Sequence, residues 1–124
     1  QKATPMWLGT RLGRFWARIF DGERAGCACN DDATQIWLVR RLFPKWAAGM
    51  AWGNIILVRR DQWTHPNIAR LIAHEYRHVL QWRRHGHAFI VLYLAASAWA
   101  FLRYGPRQAY RMNRFECDAR NHET

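Results

Sequence analysis

Lysine is almost missing from this chain: Lys2 and Lys45 are the only two among 19 basic residues, so the formal charge of +10 rests on arginine. Acidic residues are scarce too, at nine in 124 positions. This balance favours an acidic partner, either nucleic acid, anionic lipid or an acidic protein segment, against the plainer reading of a generally basic surface. No helix-turn-helix, zinc-finger or RNP pattern occurs, which argues against dedicated nucleic-acid recognition. Internal repeats and low-complexity tracts are also absent.

Cysteine is limited to Cys27, Cys29 and Cys117. Three thiols cannot all pair within one chain, and this favours a reducing, cytoplasmic setting. Cys27 and Cys29 form a CxC pair with no second pair to match it, so thiols outside any metal site are expected. The chain opens on Gln1 and not on methionine, which leaves room for an excised leader and a secreted location.

No apolar run is long enough to span a bilayer. The most apolar segment, His87 to Leu102, has no formal charge from Ala88 onward. As a helix it would reach about 24 Å, short of the roughly 30 Å hydrocarbon core. A buried central helix is therefore expected. Membrane insertion or peripheral membrane contact is the alternative, helped by Arg83, Arg84 and Arg103 at the two ends.

Half the residues are apolar and eight are tryptophan, ample material for one core, so residues 1–124 read as a single domain. Trp7, Leu8, Leu12, Phe15, Trp16, Ile19 and Phe20 recur at helical spacing, with Arg11, Arg14 and Arg18 on another side, and predict an amphipathic first helix. Ile36 to Phe43 and Asn54 to Arg59 are strand candidates, paired across the connection from Pro44 to Gly53.

The stretch that names a reaction is His74, Glu75, Tyr76, Arg77, His78, which spells HExxH. Residues four apart on a helix lie about 40° apart around the axis, so both imidazoles can reach one divalent ion. Glu75 sits at the edge of that face, where its carboxylate can take a proton from a metal-bound water without ligating. Thr64 as a cap and Pro66 in the first turn predict where the helix begins. From Asn67 to about Arg84, Ile68, Leu71, Ile72, Val79 and Trp82 share the side that carries the motif. Two core histidines on an amphipathic helix are the bland alternative.

A catalytic zinc usually takes three protein groups. Downstream of His78 the carboxylates are Glu116, Asp118 and Glu123. The first two lie in a helical-looking segment from Pro106 to about Asn121, about 200° apart, so only one of that pair can face the metal. Spacing alone does not choose between them.

The run from Gly53 through NIILVRRDQWTHPNIARLIAHEYRHVLQW and on to NRFECDAR resembles the compact gluzincin-type metallopeptidase domains called minigluzincins, and the related HExxHxxQ domains of phage-like and secretion-associated proteins. The resemblance covers about the last 70 residues. It implies His74 and His78 as ligands, Glu75 as general base, Gln81 completing HExxHxxQ, and Glu116 with Ala119 as an ExxA motif that supplies the third ligand. It also implies that the strand before the HExxH helix borders the cleft and can pair with an extended substrate. Many relatives carry an Asp after ExxA that orients a ligand histidine, whereas this chain has Arg120.

Together these readings predict an α-rich α+β domain with Zn2+ held by His74, His78 and Glu116, a water activated by Glu75, and a peptide or protein substrate. Tyr110 and Tyr104 are candidate oxyanion donors, although a structural tyrosine is the plainer reading of each. Arg59, Arg60, Arg83 and Arg84 flank the motif and suggest a preference for acidic peptides. The competing class is a catalytically inactive zinc-binding module whose basic surface binds acidic partners or anionic membrane.

Overall fold

Four of the five residues of Ile55–Arg59 are buried, and this strand is the centre on which the other elements are layered. The structure is a computed structural model and describes residues 7–28, 31–42 and 46–123. It is α+β. In chain order the elements are α1 (Trp7–Ile19), β1 (Glu23–Ala28), β2 (Asp31–Val39), β3 (Gly49–Trp52), β4 (Ile55–Arg59), α2 (Ile68–His85), α3 (Ala88–Tyr104) and α4 (Arg114–Arg120), with 3-10 turns at Arg60–Gln62 and Pro106–Gln108.

The sheet order is β1-β2-β4-β3. The two expected strands do pair, and they run parallel, with Gln35 opposite Ile55 and Val39 opposite Arg59. A parallel pair needs a crossover. The connection supplies one by forming β3, which lies antiparallel on the far side of β4. Phe43, named at the end of the first strand candidate, lies outside the described residues, as does Cys29.

Burial alternates along β4. Ile55 and Leu57 pack with Ala17 of α1, Val39 and Leu42, while Ile56 and Val58 pack with Ile36 of β2 and Val79 of α2. The sheet is thus sandwiched between α1 and α2, and a near-continuous apolar run is what a strand covered on both faces requires. Each such side chain contributes roughly 1.5–3 kcal/mol when fully buried.

α1 meets the sheet through its smallest residues. Gly9, Gly13 and Ala17 are its buried positions. A Cβ on Gly13 would come within 2.9 Å of Ile55 and Trp52, and one on Gly9 within 2.8 Å of the Trp82 ring. Most of the apolar stripe read from the sequence therefore faces outward: Trp7, Leu8, Leu12, Phe15 and Ile19 are exposed, while Trp16 and Phe20 pack against the core.

The HExxH helix begins at Ile68, one turn later than the Thr64 cap predicts, because the 3-10 turn and the bend that follows it occupy residues 60–67. Here the His65 imidazole accepts from Asn67 N at 3.0 Å. The Pro106–Asn121 segment divides into the second 3-10 turn and the seven-residue α4. The expectation of a buried central helix holds for one face of α3 only, since Phe89 and Ala100 are its only fully buried residues.

Candidate metal centre

α2 projects His74, Glu75 and His78 from its buried side toward α4, where Glu116 is 3% exposed. Imidazole nitrogens of His74 and His78 and a carboxylate oxygen of Glu116 all lie within 4.8 Å of one another. His74 Nε2 is 3.0 Å and His78 Nε2 3.1 Å from the same Glu116 Oε1. Ligand atoms about 2.0–2.1 Å from a tetrahedral zinc sit roughly 3.4 Å apart, so only small adjustments separate this geometry from a three-ligand site.

The far side of each ring fixes its tautomer. His74 Nδ1 lies 2.7 Å from Glu123 Oε2, an acceptor when ionised, so Nδ1 carries the hydrogen. His78 Nδ1 lies 2.7 Å from Gln81 Oε1. The Gln81 amide nitrogen donates to Phe115 O and Asp118 Oδ2, which identifies Oε1 as the acceptor and His78 Nδ1 as the donor. Two Nε2 lone pairs and a carboxylate oxygen are therefore aimed at one point. They repel unless a cation lies among them, either protons on the rings or a metal ion. The residues fit a divalent metal, and the donor set of two nitrogens and one oxygen suits zinc among others.

The electrostatics follow from the same contacts. Burial disfavours a charged His74 ring, but Glu116, Glu75 and Glu123 outweigh it and raise its pKa to about 9. Burial likewise opposes charge on His78, and Glu116 and Glu75 reverse the balance upward. For Glu116 burial is overcome by the two histidines and Tyr93, which hold the carboxyl far below its ordinary range.

Glu75 differs from these groups. It is 5% exposed, lines the same cleft, and among the described residues has no hydrogen-bond or ion-pair partner. Burial pushes its pKa up, against the pull of the two histidines. A desolvated, unpaired carboxylate beside a cation site is the setting in which a general base works near neutral pH.

The question left open between Glu116 and Asp118 has a geometric answer. Asp118 faces Arg77, with Oδ2 2.7 Å from Nε, and does not join the histidines. Cys27 and Cys117 lie outside the group as well, Cys117 bonding the Arg111 carbonyl and Arg120. Arg120 donates to the Arg111 carbonyl. The carboxylate expected after ExxA is supplied instead by Glu123, three residues further on.

Sequence reasoning missed the roles of three contributors. Glu123 had no fixed spacing to betray it. Tyr93 of α3 donates to Glu116 Oε2 and so occupies the oxygen turned away from the histidines. Asn113, completely buried, caps α4 by accepting from Phe115 N at 2.8 Å, while its amide donates to Tyr93 O and Ser97 Oγ on α3. The signal for Asn113 was present, since Asn three residues before Glu is a capping-box pattern.

The cleft holds about 720 Å³ and is walled by β3, α2, α3 and Tyr110. β4 lies between β2 and β3, so the strand that precedes the HExxH helix cannot pair with substrate; the edge facing the cleft is β3. Ala48 O accepts from Arg59 N across the β3–β4 pair, so strand alternation turns the main-chain groups of Gly49 and Ala51 outward. Trp82 Nε1 donates to Ala51 O at 3.3 Å. Gly49 lies against Glu75: a Cβ there would be 3.2 Å from Glu75 Oε2.

Tyr110 stands at the cleft mouth with its ring edge-on to Trp46 at 5.2 Å, and burial with the nearby Glu116 raises its pKa. Tyr104 lies on the outer side of α3, away from the metal group. Arg59, Arg60, Arg83 and Arg84 do not line the cleft; its arginines are Arg70 and Arg120. Arg83 instead pairs with Asp31 at 2.7 Å, joining α2 to β2.

Comparison with protein-family models, with curated proteins and with solved structures yields no match, so the reading of this centre rests on its own geometry.

Proposed function

We propose that the protein is a zinc-dependent metallopeptidase of gluzincin type. The observation that carries this reading is the convergence of His74 Nε2, His78 Nε2 and Glu116 Oε1, with both Nδ1 atoms already engaged, beside an unpaired buried Glu75. A zinc ion held by these three residues would supply Lewis acidity, lowering the pKa of water toward neutrality and polarising a carbonyl.

The chain's own groups do the rest. Glu123 and Gln81 hold the two imidazoles in the tautomer that presents Nε2. An extended peptide pairs with the outward groups of β3 at Gly49, beyond the Ala51 carbonyl that Trp82 engages, with its scissile carbonyl between Gly49 and the histidines. Glu75 takes a proton from the attacking water as the water oxygen bonds to the carbonyl carbon. It returns that proton to the amine nitrogen as the C–N bond breaks. Tyr110, at the mouth and partly exposed, is the donor positioned to meet the developing oxyanion. Arg70 and Arg120 favour acidic side chains in the peptide.

The test combines metal content with turnover. Untagged wild-type protein should carry about one zinc per chain, Glu116→Ala should lose it, and Glu75→Gln should keep it while cleavage of a peptide library stops. Retained metal with cleavage absent from the wild type itself would favour an inactive metal-binding module. A folded wild type that takes up no zinc would overturn both readings.

A further inference from the structure

The side of the molecule formed by α1 and α3 has no obvious use in hydrolysis. Between Ala88 and Leu102 every exposed residue of α3 is apolar, comprising Ala88, Val91, Leu92, Leu94, Ala95, Ala98, Trp99, Phe101 and Leu102. At about 100° per residue they cover roughly half the helix circumference. Val91, Trp99 and Leu102 are 68%, 66% and 79% exposed. Soluble monomers rarely present a continuous apolar face of this kind without a partner.

α1 adds a second strip. Leu8, Leu12, Phe15 and Ile19 form its exposed apolar line, and Arg11, Arg14 and Arg18 run alongside. The N-terminal ends of the two helices meet, for Leu8 N donates to Nε2 of His87, the residue before α3, at 3.2 Å and the Trp7 and His87 rings lie 5.2 Å apart.

Charge selects the occupant. No Asp or Glu occurs from Gln1 to Phe20 or from Tyr76 to Phe115, so both helices are free of acid. Arg11, Arg14, Arg18, Arg103 and Arg107 are exposed, and among the described residues none has a carboxylate partner. Arg11 and Arg103 lie over the Trp7 and Tyr104 rings at 5.2 and 5.7 Å, pairings suited to the boundary between headgroups and acyl chains. A nucleic acid would leave the apolar half of α3 uncovered, and an acidic protein segment has no reason to prefer a face without polar side chains.

We infer that this α1–α3 face docks in the plane of an anionic lipid bilayer, with the apolar strips at acyl-chain level and the arginines against the headgroups. α3 does not cross: among the described residues no single helix is long and apolar enough to span a membrane, and the inner side of α3 packs on Phe115 and the cleft. It lies flat, as amphipathic interfacial helices do. Through Ile90, Tyr93 and Leu94 the same helix walls the cleft, so docking brings the metal centre to the membrane surface. The inference stands apart from the proposed hydrolysis, because binding is measured without turnover.

The experiment is flotation of the full chain with vesicles of phosphatidylcholine containing about one third phosphatidylserine, and with phosphatidylcholine alone. The protein should float with the anionic vesicles, at least about tenfold less with neutral ones, and less as salt rises. Val91→Glu/Leu102→Glu, which alters two exposed positions away from the cleft, should lower binding at least about tenfold, and so should Arg11→Gln/Arg14→Gln/Arg18→Gln. Tryptophan quenching by lipids brominated on the acyl chain should accompany binding of the wild type and requires no variant. No flotation overturns the inference. So does binding that Val91→Glu/Leu102→Glu leaves intact, which marks a general polyanion surface, or a wild-type dimer in light scattering that this variant dissociates without any vesicle binding, which marks a face for a second copy.

Discussion

Glu123 lies seven residues beyond the nearest metal-site carboxylate, yet its Oε2 is 2.7 Å from His74 Nδ1, closer than either Nε2 contact in the centre. The C-terminal segment thus reaches back to orient a ring at the middle of α2. This bond leads to the first prediction. Glu123→Ala should weaken zinc binding by about 10- to 100-fold, the usual effect of removing a carboxylate behind a ligand histidine, and Glu123→Gln should fall between Ala and wild type. Competition against a chromophoric chelator measures it. Equal affinities in all three proteins would mean that the ring needs no such support.

The close approach of Gly49 to Glu75 gives a second. Gly49→Val would put a branched side chain against Glu75 Oε2 and Leu71 Cδ1, both 3.2 Å from the new Cβ. Glu75 must turn aside, so kcat should drop by about 100-fold or more while zinc content stays at the wild-type level. Steady-state kinetics and elemental analysis on one preparation separate the two effects.

A third concerns acid. Arg83 is the main cause that lowers the Asp31 pKa to about 2; burial opposes it, and Tyr76, Ala33 N and Thr34 add to the lowering. A depressed carboxyl contributes stability that is fully present above its unfolded value near 4 and is lost as pH falls through about 2. Asp31→Asn should therefore cost about 1–2 kcal/mol at neutral pH, and its deficit should shrink as pH falls from 4 to 2. Urea denaturation across that range reads the slope, and a deficit that does not change with pH would exclude the Asp31–Arg83 pair as its source.

α1 gives the fourth. Gly13→Leu must lift the helix from Ile55 and Trp52 and should cost about 2–4 kcal/mol, whereas Phe15→Ala, at a side chain 61% exposed, should stay within about 0.5 kcal/mol. Chemical denaturation of both variants decides. A larger loss from Phe15→Ala would mean that the outward stripe packs on something in the free protein.

The parts of this fold that could be read beforehand are those with a strong period. α2, expected from Asn67 to about Arg84, runs Ile68–His85, and the strand at Asn54 to Arg59 is β4. The α+β class followed from these elements. β1 and β3 were illegible because GluArgAlaGlyCysAla and GlyMetAlaTrp contain no β-branched residue and each carries a glycine. The inward face of α1 was not legible for a physical reason: periodicity reports where large apolar groups lie, and here two glycines and an alanine make the closest contact. At the site, His74, Glu75 and His78 share the buried side of α2, as the HExxH spacing on a helix requires. Glu123 and Tyr93 answer to tertiary proximity alone, which leaves no trace in local spacing.

A helix anchored through Gly9, Gly13 and Ala17, with Thr10 accepting from Asn54 N and Trp16 lying against the core, has its structural requirement met by five positions on one side. The eight exposed residues, Trp7, Leu8, Arg11, Leu12, Arg14, Phe15, Arg18 and Ile19, can change size, charge or polarity with little penalty to folding. Evolution can therefore rewrite what this helix touches without renegotiating how the protein stands up. Descendants of this chain are expected to diverge fastest in the large side chains of α1, and to keep the small ones.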